Sequence, residues 1–246
     1  MTKAEIQFVR SLADKRTRDA EGLFIAEGNK LVEEIVASQL VVRNIYTTNA
    51  AMRGANVTIV ERKDMERISQ LKTANETLAV VEQPKYRLDI EGLRDNLILA
   101  LDGVQNPGNL GTIVRLADWF GISDIVCSGE CADCFNPKVV QATMGAILRV
   151  RIHYVDDLAN TLSKASKMGM PIYGTLLDGD NLYSANITPS GIIVMGNEGR
   201  GLSDNCRETL THRLYIPPFP ADAPTSESLN VAMATGIILA EFRRPR

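Results

Sequence analysis

Short apolar runs alternate with amphipathic stretches along the whole chain, and the two patterns have different periods. In the first third, LFIAEG, VVRNIYTT, NVTIV and ETLAVVEQP read as strands. Helical spacing of apolar residues covers 5–13, 29–36 and 63–71 between them. That alternation predicts a small α/β module over residues 1–83. PKYRLDIEGLRD follows; it is polar, holds Pro and Gly, and reads as a linker over 84–95. Beyond it, LILALD, DIVCSG, ILRVRIHYV, PIYGTLL, GIIVMG and RLYIP are apolar without strict alternation, as strands covered on both faces must be. Helices are predicted over 110–120, from Pro137, over 158–167, after Ser203 and over 227–242. Such βα units in series predict an α/β domain with a largely parallel sheet over 96–246.

Composition narrows this only slightly. The 246 residues are 45% hydrophobic, enough for a sizeable core. No apolar run approaches the ~20 residues that span a bilayer, and MTKAEIQFVRSLADKR lacks a signal-peptide core. A cytoplasmic protein without membrane contact is expected. A net charge of -3 argues against a generic polyanion binder. Basic residues nevertheless gather at the two ends: Lys3, Arg10, Lys15, Arg16 and Arg18, then Arg243, Arg244 and Arg246. They suit a solvated face and a frayed tail as well as phosphate contacts. Cys131 and Cys134 form one CxxC pair with Cys127 nearby, Cys206 stands apart, and no second pair completes a zinc site. Free thiols and no metal are expected.

The candidate chemistry starts at DGVQNPGNLGTIVRLADWFG (102–121), where glycines, Pro107 and two asparagines separate a strand from a helix holding Arg115. Glycines after a strand let backbone approach a ligand closely. A dinucleotide site would want GxGxxG and an acidic residue ending the next strand. Here Gly103, Gly108 and Gly111 have the wrong spacing, and DIVCSG ends in Ser128 and Gly129. GxxxxGK[ST] does not occur either, so a nicotinamide oxidoreductase is disfavoured. Two further segments share the first one's position after an apolar strand. GIIVMGNEGRGLS holds Glu198 in a glycine-dense loop, and LYIPPFPADAPTSESLNVAMATGIILAEF joins a proline-rich loop to a helix opened by Ser-Glu-Ser-Leu-Asn. Their polar residues would meet at the carboxyl ends of the strands, where open α/β sheets bind ligands.

These three segments resemble the three motifs of the SpoU family of RNA ribose 2′-O-methyltransferases, within the SPOUT superfamily. The match runs in order from Leu97 to Phe242. The first third resembles the small ribosomal-protein-like substrate-binding domain often fused ahead of it. The resemblance implies S-adenosylmethionine as cofactor, RNA as partner and a deep trefoil knot in the C-terminal domain. The knot is contrary to the ordinary rule for chain connections. It implies a homodimer as well, in keeping with VAMATGIILAEF, which is apolar almost all round and must be buried against more than one neighbour. The separate first domain favours 23S ribosomal RNA over transfer RNA, since a docking domain suits a large structured target.

Family roles carry over residue by residue. The catalytic set is Asn109, Arg115, Glu198, Ser228 and Asn230. Gly196, Ile216 and Leu229 would hold the cofactor chiefly through backbone, next to the loop stiffened by Pro217 and Pro218, with Thr175 and Leu176 on the adenosine side. Arg115 is the family's proposed general base. A guanidinium titrating above about 12 is more readily a clamp on an RNA phosphate, and both roles stay open. Without the motifs, Arg115 would read as a surface partner of Asp118, three residues on. Asn106 stands where aspartate is commoner and Trp119 where a smaller residue is frequent. QATMGAILRV resembles the family's Ser-x-Gly-Ala segment with Thr143 keeping the hydroxyl. The alternative is a non-catalytic RNA-binding protein on the same fold.

Overall fold

The computed structural model describes residues 1–220 and 228–245. Its first elements are α1 (Lys3–Ser11), α2 (Lys15–Glu21), β1 (Leu23–Glu27), α3 (Asn29–Ala37), β2 (Val42–Thr47), β3 (Val57–Ile59), α4 (Arg62–Ile68) and β4 (Thr77–Glu82). Then come β5 (Leu97–Leu101), α5 (Pro107–Trp119), β6 (Asp124–Ser128), α6 (Pro137–Thr143), β7 (Arg151–Val155) and α7 (Leu158–Lys167). The last are β8 (Ile172–Asn181), β9 (Gly191–Met195), α8 (Asp204–Arg207), β10 (His212–Tyr215) and α9 (Val231–Phe242).

The chain divides into two compact units, residues 1–85 with 133–148 and residues 86–132 with 149–246. The sequence-based division gives 133–148 to the second domain; the contacts give it to the first. The reason is apolar. Val140 and Ile147 share a core with Phe24, Ala26, Val32 and Ile35, and the rings of Phe135 and Phe24 lie 4.9 Å apart. The sheet of this unit runs β1-β4-β2-β3, with β4 antiparallel to both neighbours and β2 parallel to β3.

KRTRDAE has no apolar periodicity, yet it forms α2. Asp14 accepts from the N–H groups of Arg16 and Thr17 at its start, and Gly22 ends it with φ 65°. Arg18 therefore belongs to no solvated face. It is buried, donating to the carbonyls of Leu12 and Ala13 and pairing with Asp133. Among the C-terminal basic residues, Arg243 donates to the Phe120 carbonyl and Arg244 pairs with Glu241; Arg246 lies outside the described residues.

The second unit is a six-stranded sheet, β10-β8-β9-β5-β6-β7, parallel throughout. Every residue of β5 and β9 is buried, as their unbroken apolar runs require. β5 leads to its neighbour β6, whereas β9 leads away to β10 at the far edge, so the chain's direction of winding changes at the β5–β9 seam. Register breaks where β10 meets β8: Arg213 pairs with Gly174, but Leu214 pairs with Asp180.

Two helix starts differ from the sequence pattern by three residues or more. α5 begins at Pro107 rather than 110, because Asn106 caps it and proline at the first position has no N–H to lose. α9 begins at Val231; the expected start at Glu227 lies outside the described residues, and 228–230 are not helical.

Candidate active site

Several side chains join the loops after β5 and β9. Asn197 donates Nδ2 to the carbonyl of Gly103 at 2.7 Å, while its Oδ1 accepts from the N–H groups of Gly199 (2.9 Å) and Arg200 (3.1 Å). Gly103 adopts φ 70°, and its N–H donates to Ser128 Oγ at 3.0 Å. Asp102 accepts from the Ser203 N–H at 2.7 Å, and Arg200 pairs with Glu130 at 2.8 Å. Gly196 serves a close approach. A β-carbon there would collide with the backbone of Gly201 and Leu202. Between the two loops lies a crevice of about 470 Å³, lined by residues 104–107 and 197–199. Behind it, a hydrogen bond with Cys127 outweighs burial and lowers the Cys131 thiol to about 7, helped by Ser128 and backbone N–H groups.

The cap of α5 sets up the cluster. Asn106 Oδ1 accepts from the N–H groups of Gly108 (2.8 Å) and Asn109 (3.2 Å), which fixes Asn109 in the first turn. Asn109 then donates Nδ2 to Glu198 Oε1. Asn230 donates Nδ2 to the same oxygen at 2.8 Å and to Asn109 Oδ1 at 3.1 Å. With its own Oδ1, Asn230 caps α9 by accepting from Ala232 and Met233. Glu198 Oε2 has no partner among the described residues. One carboxylate thus orients two amides from segments far apart in the chain.

Arg115 stands exposed on α5 without an ion pair among the described residues. Asp118, which could have claimed it, is held instead by Arg149 in a two-pronged pair, Nε at 2.9 Å and Nη2 at 2.8 Å. The cation is left for something else.

The fold has counterparts. Residues 96–240 match the SpoU rRNA Methylase family. The chain belongs to that family. Residues 3–79 match the MRM3-like substrate binding domain. Among curated relatives, the 23S rRNA (guanosine(2553)-2′-O)-methyltransferase RlmP of Bacillus subtilis is 29% identical over 95% of this chain and 94% of its own. The 23S rRNA (guanosine-2′-O-)-methyltransferase RlmB of Neisseria meningitidis is 31% identical over 80% of each. Among solved structures, a protein from Porphyromonas gingivalis assigned to the TrmH family is 38% identical, with TM-score 0.88 over 99% of this chain and 98% of that one. An AdoMet-bound rRNA methyltransferase from Sinorhizobium meliloti is 28% identical, with TM-score 0.86 over 99% of this chain and 95% of that one.

Against this SpoU framework, the structure joins three of the five residues carried over as catalytic, Asn109, Glu198 and Asn230, in one hydrogen-bonded cluster. Ser228 is exposed two positions before Asn230, and Arg115 makes no bond to the cluster. Of the cofactor set, Thr175 and Leu176 lie where β8 stops pairing with β9, Gly196 directly follows β9 and Ile216 follows β10. These three strands are neighbours in the sheet. Thr175 Oγ1 donates to the Val194 carbonyl at 3.3 Å, Leu176 is buried, Ile216 is half-buried and Leu229 is exposed. Sequence reasoning missed Asn197, which ties the two loops. Its signal was an asparagine followed by Glu198 and Gly199, a common turn-former that braces backbone with its side chain.

Proposed function

We propose that this chain transfers a methyl group from S-adenosylmethionine to a ribose 2′-hydroxyl of structured RNA, with 23S ribosomal RNA the favoured substrate. The observation that carries this reading is the Asn109–Glu198–Asn230 cluster, together with an arginine that has no structural partner among the described residues. When bound, S-adenosylmethionine supplies an electrophilic methyl carbon on a positively charged sulfur. The residues suit it. Apolar Leu176, Ile216 and Leu229 with the Thr175 hydroxyl provide a neutral seat for an adenosine, and the loop at Gly196 brings bare backbone close.

The 2′-oxygen would receive the methyl group of the cofactor, which leaves as the neutral thioether, while the 2′-hydroxyl would pass its proton to water. The chain's task is alignment. Glu198 fixes both amides: Asn230 is fully engaged, and the second N–H of Asn109 and Glu198 Oε2 meet the ribose already oriented. Arg115 grips the adjoining phosphate with its planar fork. Support for ribosomal RNA comes from the names of the RlmP and RlmB relatives and from the substrate-binding match of residues 3–79.

Two further parts belong to the same proposal. The first is a homodimer through the second unit, supported by Trp119 and Met233, apolar yet 82% and 62% exposed on α5 and α9, which touch through Leu116 and Gly236. Light scattering at micromolar concentration should give twice the chain mass. The second is the deep knot, supported by the match of residues 96–240 to the SpoU family.

The test is to map 2′-O-methyl groups in total RNA with and without the gene. The proposal expects a modified nucleotide in 23S RNA to lose its methyl group and to regain it with purified protein and S-adenosylmethionine. RNA binding without any methyl transfer would leave the non-catalytic alternative standing.

A further inference from the structure

α6 is a short helix with two unlike faces. Val139, Val140 and Thr143 are buried, and the Thr143 hydroxyl is spent on the Val140 carbonyl. Lys138, Gln141 and Met144 follow each other at three-residue spacing on the exposed side. The last of them is out of the ordinary. Met144 takes φ 49° and ψ 43°, the only non-glycine residue at positive φ among the described residues, and it is 66% exposed.

A left-handed conformation costs free energy for any residue with a β-carbon, and glycine would avoid that cost. The following Gly145 has φ 91°, beyond the left-handed region that side chains reach, and there the requirement for glycine is plain. At Met144 the left-handed turn ends α6, its N–H donating to the Gln141 carbonyl, but that cap calls for no large side chain. Its neighbours Thr143, Gly145, Ala146 and Ile147 are buried, so the turn is anchored on both sides while a large apolar side chain is held out in water. Strain at an exposed apolar residue, kept where glycine fits, points to a ligand rather than to packing.

We propose that Lys138, Gln141 and Met144 form an RNA-contacting ridge on the first unit. The inference rests on the RNA substrate proposed above. The three side chains divide the work by chemistry. Lys138 meets a phosphate, Gln141 offers an amide to a base edge, and Met144 lays an apolar, polarisable surface against an unstacked base. The occupant is single-stranded or looped RNA, since the interior of a duplex offers no base face to Met144.

The experiment uses the full chain and unmodified total RNA from a strain lacking the gene, with RNA binding, methyl transfer, S-adenosylmethionine binding and thermal midpoint read separately. Met144→Gly is expected to weaken RNA binding about tenfold, because the unstacked base is left without its apolar neighbour. Its midpoint should equal or exceed that of the wild type and its cofactor affinity should not change. Met144→Leu should restore RNA binding. Lys138→Ala should weaken binding on all RNAs alike and flatten the salt dependence by about one phosphate contact.

A fall in midpoint for Met144→Gly would make Met144 a packing residue and overturn the ridge. So would unchanged RNA affinity in both variants of an active wild type, with the methyltransferase reading untouched. Loss of a dimer with RNA affinity kept would assign the ridge to self-association. A wild type that binds RNA without methylating it would remove the enzymatic reading while the ridge is still judged by binding alone; one that binds no RNA removes both.

Discussion

The two ends of the parallel sheet hold polar clusters of opposite character. At the amino ends of β6 and β7, Asp124 is buried under four donor contacts. Arg151 gives Nε to Oδ1 (2.8 Å) and Nη2 to Oδ2 (2.6 Å), the Ser123 hydroxyl donates to Oδ2 (2.7 Å), and His153 Nε2 meets Oδ1 (2.9 Å). Burial pushes the carboxyl up, but the hydrogen bonds from Arg151, His153 and Ser123 together win and hold it at about 2. At the carboxyl ends, Glu198 is exposed, receives only neutral amide donors and keeps one oxygen without a partner among the described residues. A saturated charge stabilises the fold and can do little else. An unsaturated one on a braced loop contributes little stability and is left available for a ligand.

The largest expected effect probes the second cluster. Glu198→Ala should lower methyl transfer about 10²–10³-fold, the scale for losing one pre-oriented group at a reacting centre, with the thermal midpoint within error of wild type. A variant that melts early would erase the contrast between the two ends.

Asp124→Asn should do the reverse. It removes about 2 kcal/mol of stability at neutral pH, from the gap between the ordinary carboxyl value and about 2, and leaves turnover normal well below the melting temperature. The sign follows from a lowered folded-state pKa. The contribution is full above the unfolded value near 4 and is lost as pH falls from about 4 toward 2. Denaturant titrations across that window should show a steep acid loss in wild type and a shallower one in the variant.

Arg115→Lys sharpens what the open end does. As a phosphate clamp, lysine loses the fork, so RNA binding should weaken about tenfold with cofactor affinity unchanged. If Arg115 had to surrender a proton, lysine, titrating at about 10.4, would be the better base and the single-turnover rate would climb with pH at saturating RNA. The smallest effect is expected from Arg149→Ala. It frees Asp118 to draw on Arg115 three residues away, weakening RNA binding about twofold at low salt and not at all at high salt. Equal weakening at both salt concentrations would mean that Arg149 touches RNA itself.

Much of the second unit was legible because parallel strands declare themselves: LILAL and GIIVM are apolar on both faces and end at glycine or aspartate. The start of α5 was not, because Pro107 and Gly108 look like breakers until Asn106 is seen capping them. α2 was invisible to periodicity, since its inward residue is Arg18 and the partner that makes burial tolerable, Asp133, lies 115 positions away. In the site, the motif resemblance supplied Asn109, Glu198 and Asn230, but no spacing rule shows that Asn230 caps a helix with its oxygen while donating with its nitrogen. Asn197 was overlooked for a related reason: its partners are backbone groups, which leave no mark on composition.

The Arg18–Asp133 pair bears on how such a protein can be assembled from parts. The substrate-binding match stops at residue 79, which suggests a cassette ending at the linker. A cassette cut there would carry a buried guanidinium with no counter-ion and a bare apolar seat where Val140 and Ile147 belong. The first unit is thus completed by a stretch of chain encoded inside the other one. A graft cut at the linker would leave it incomplete: the loop that closes it has to travel with it.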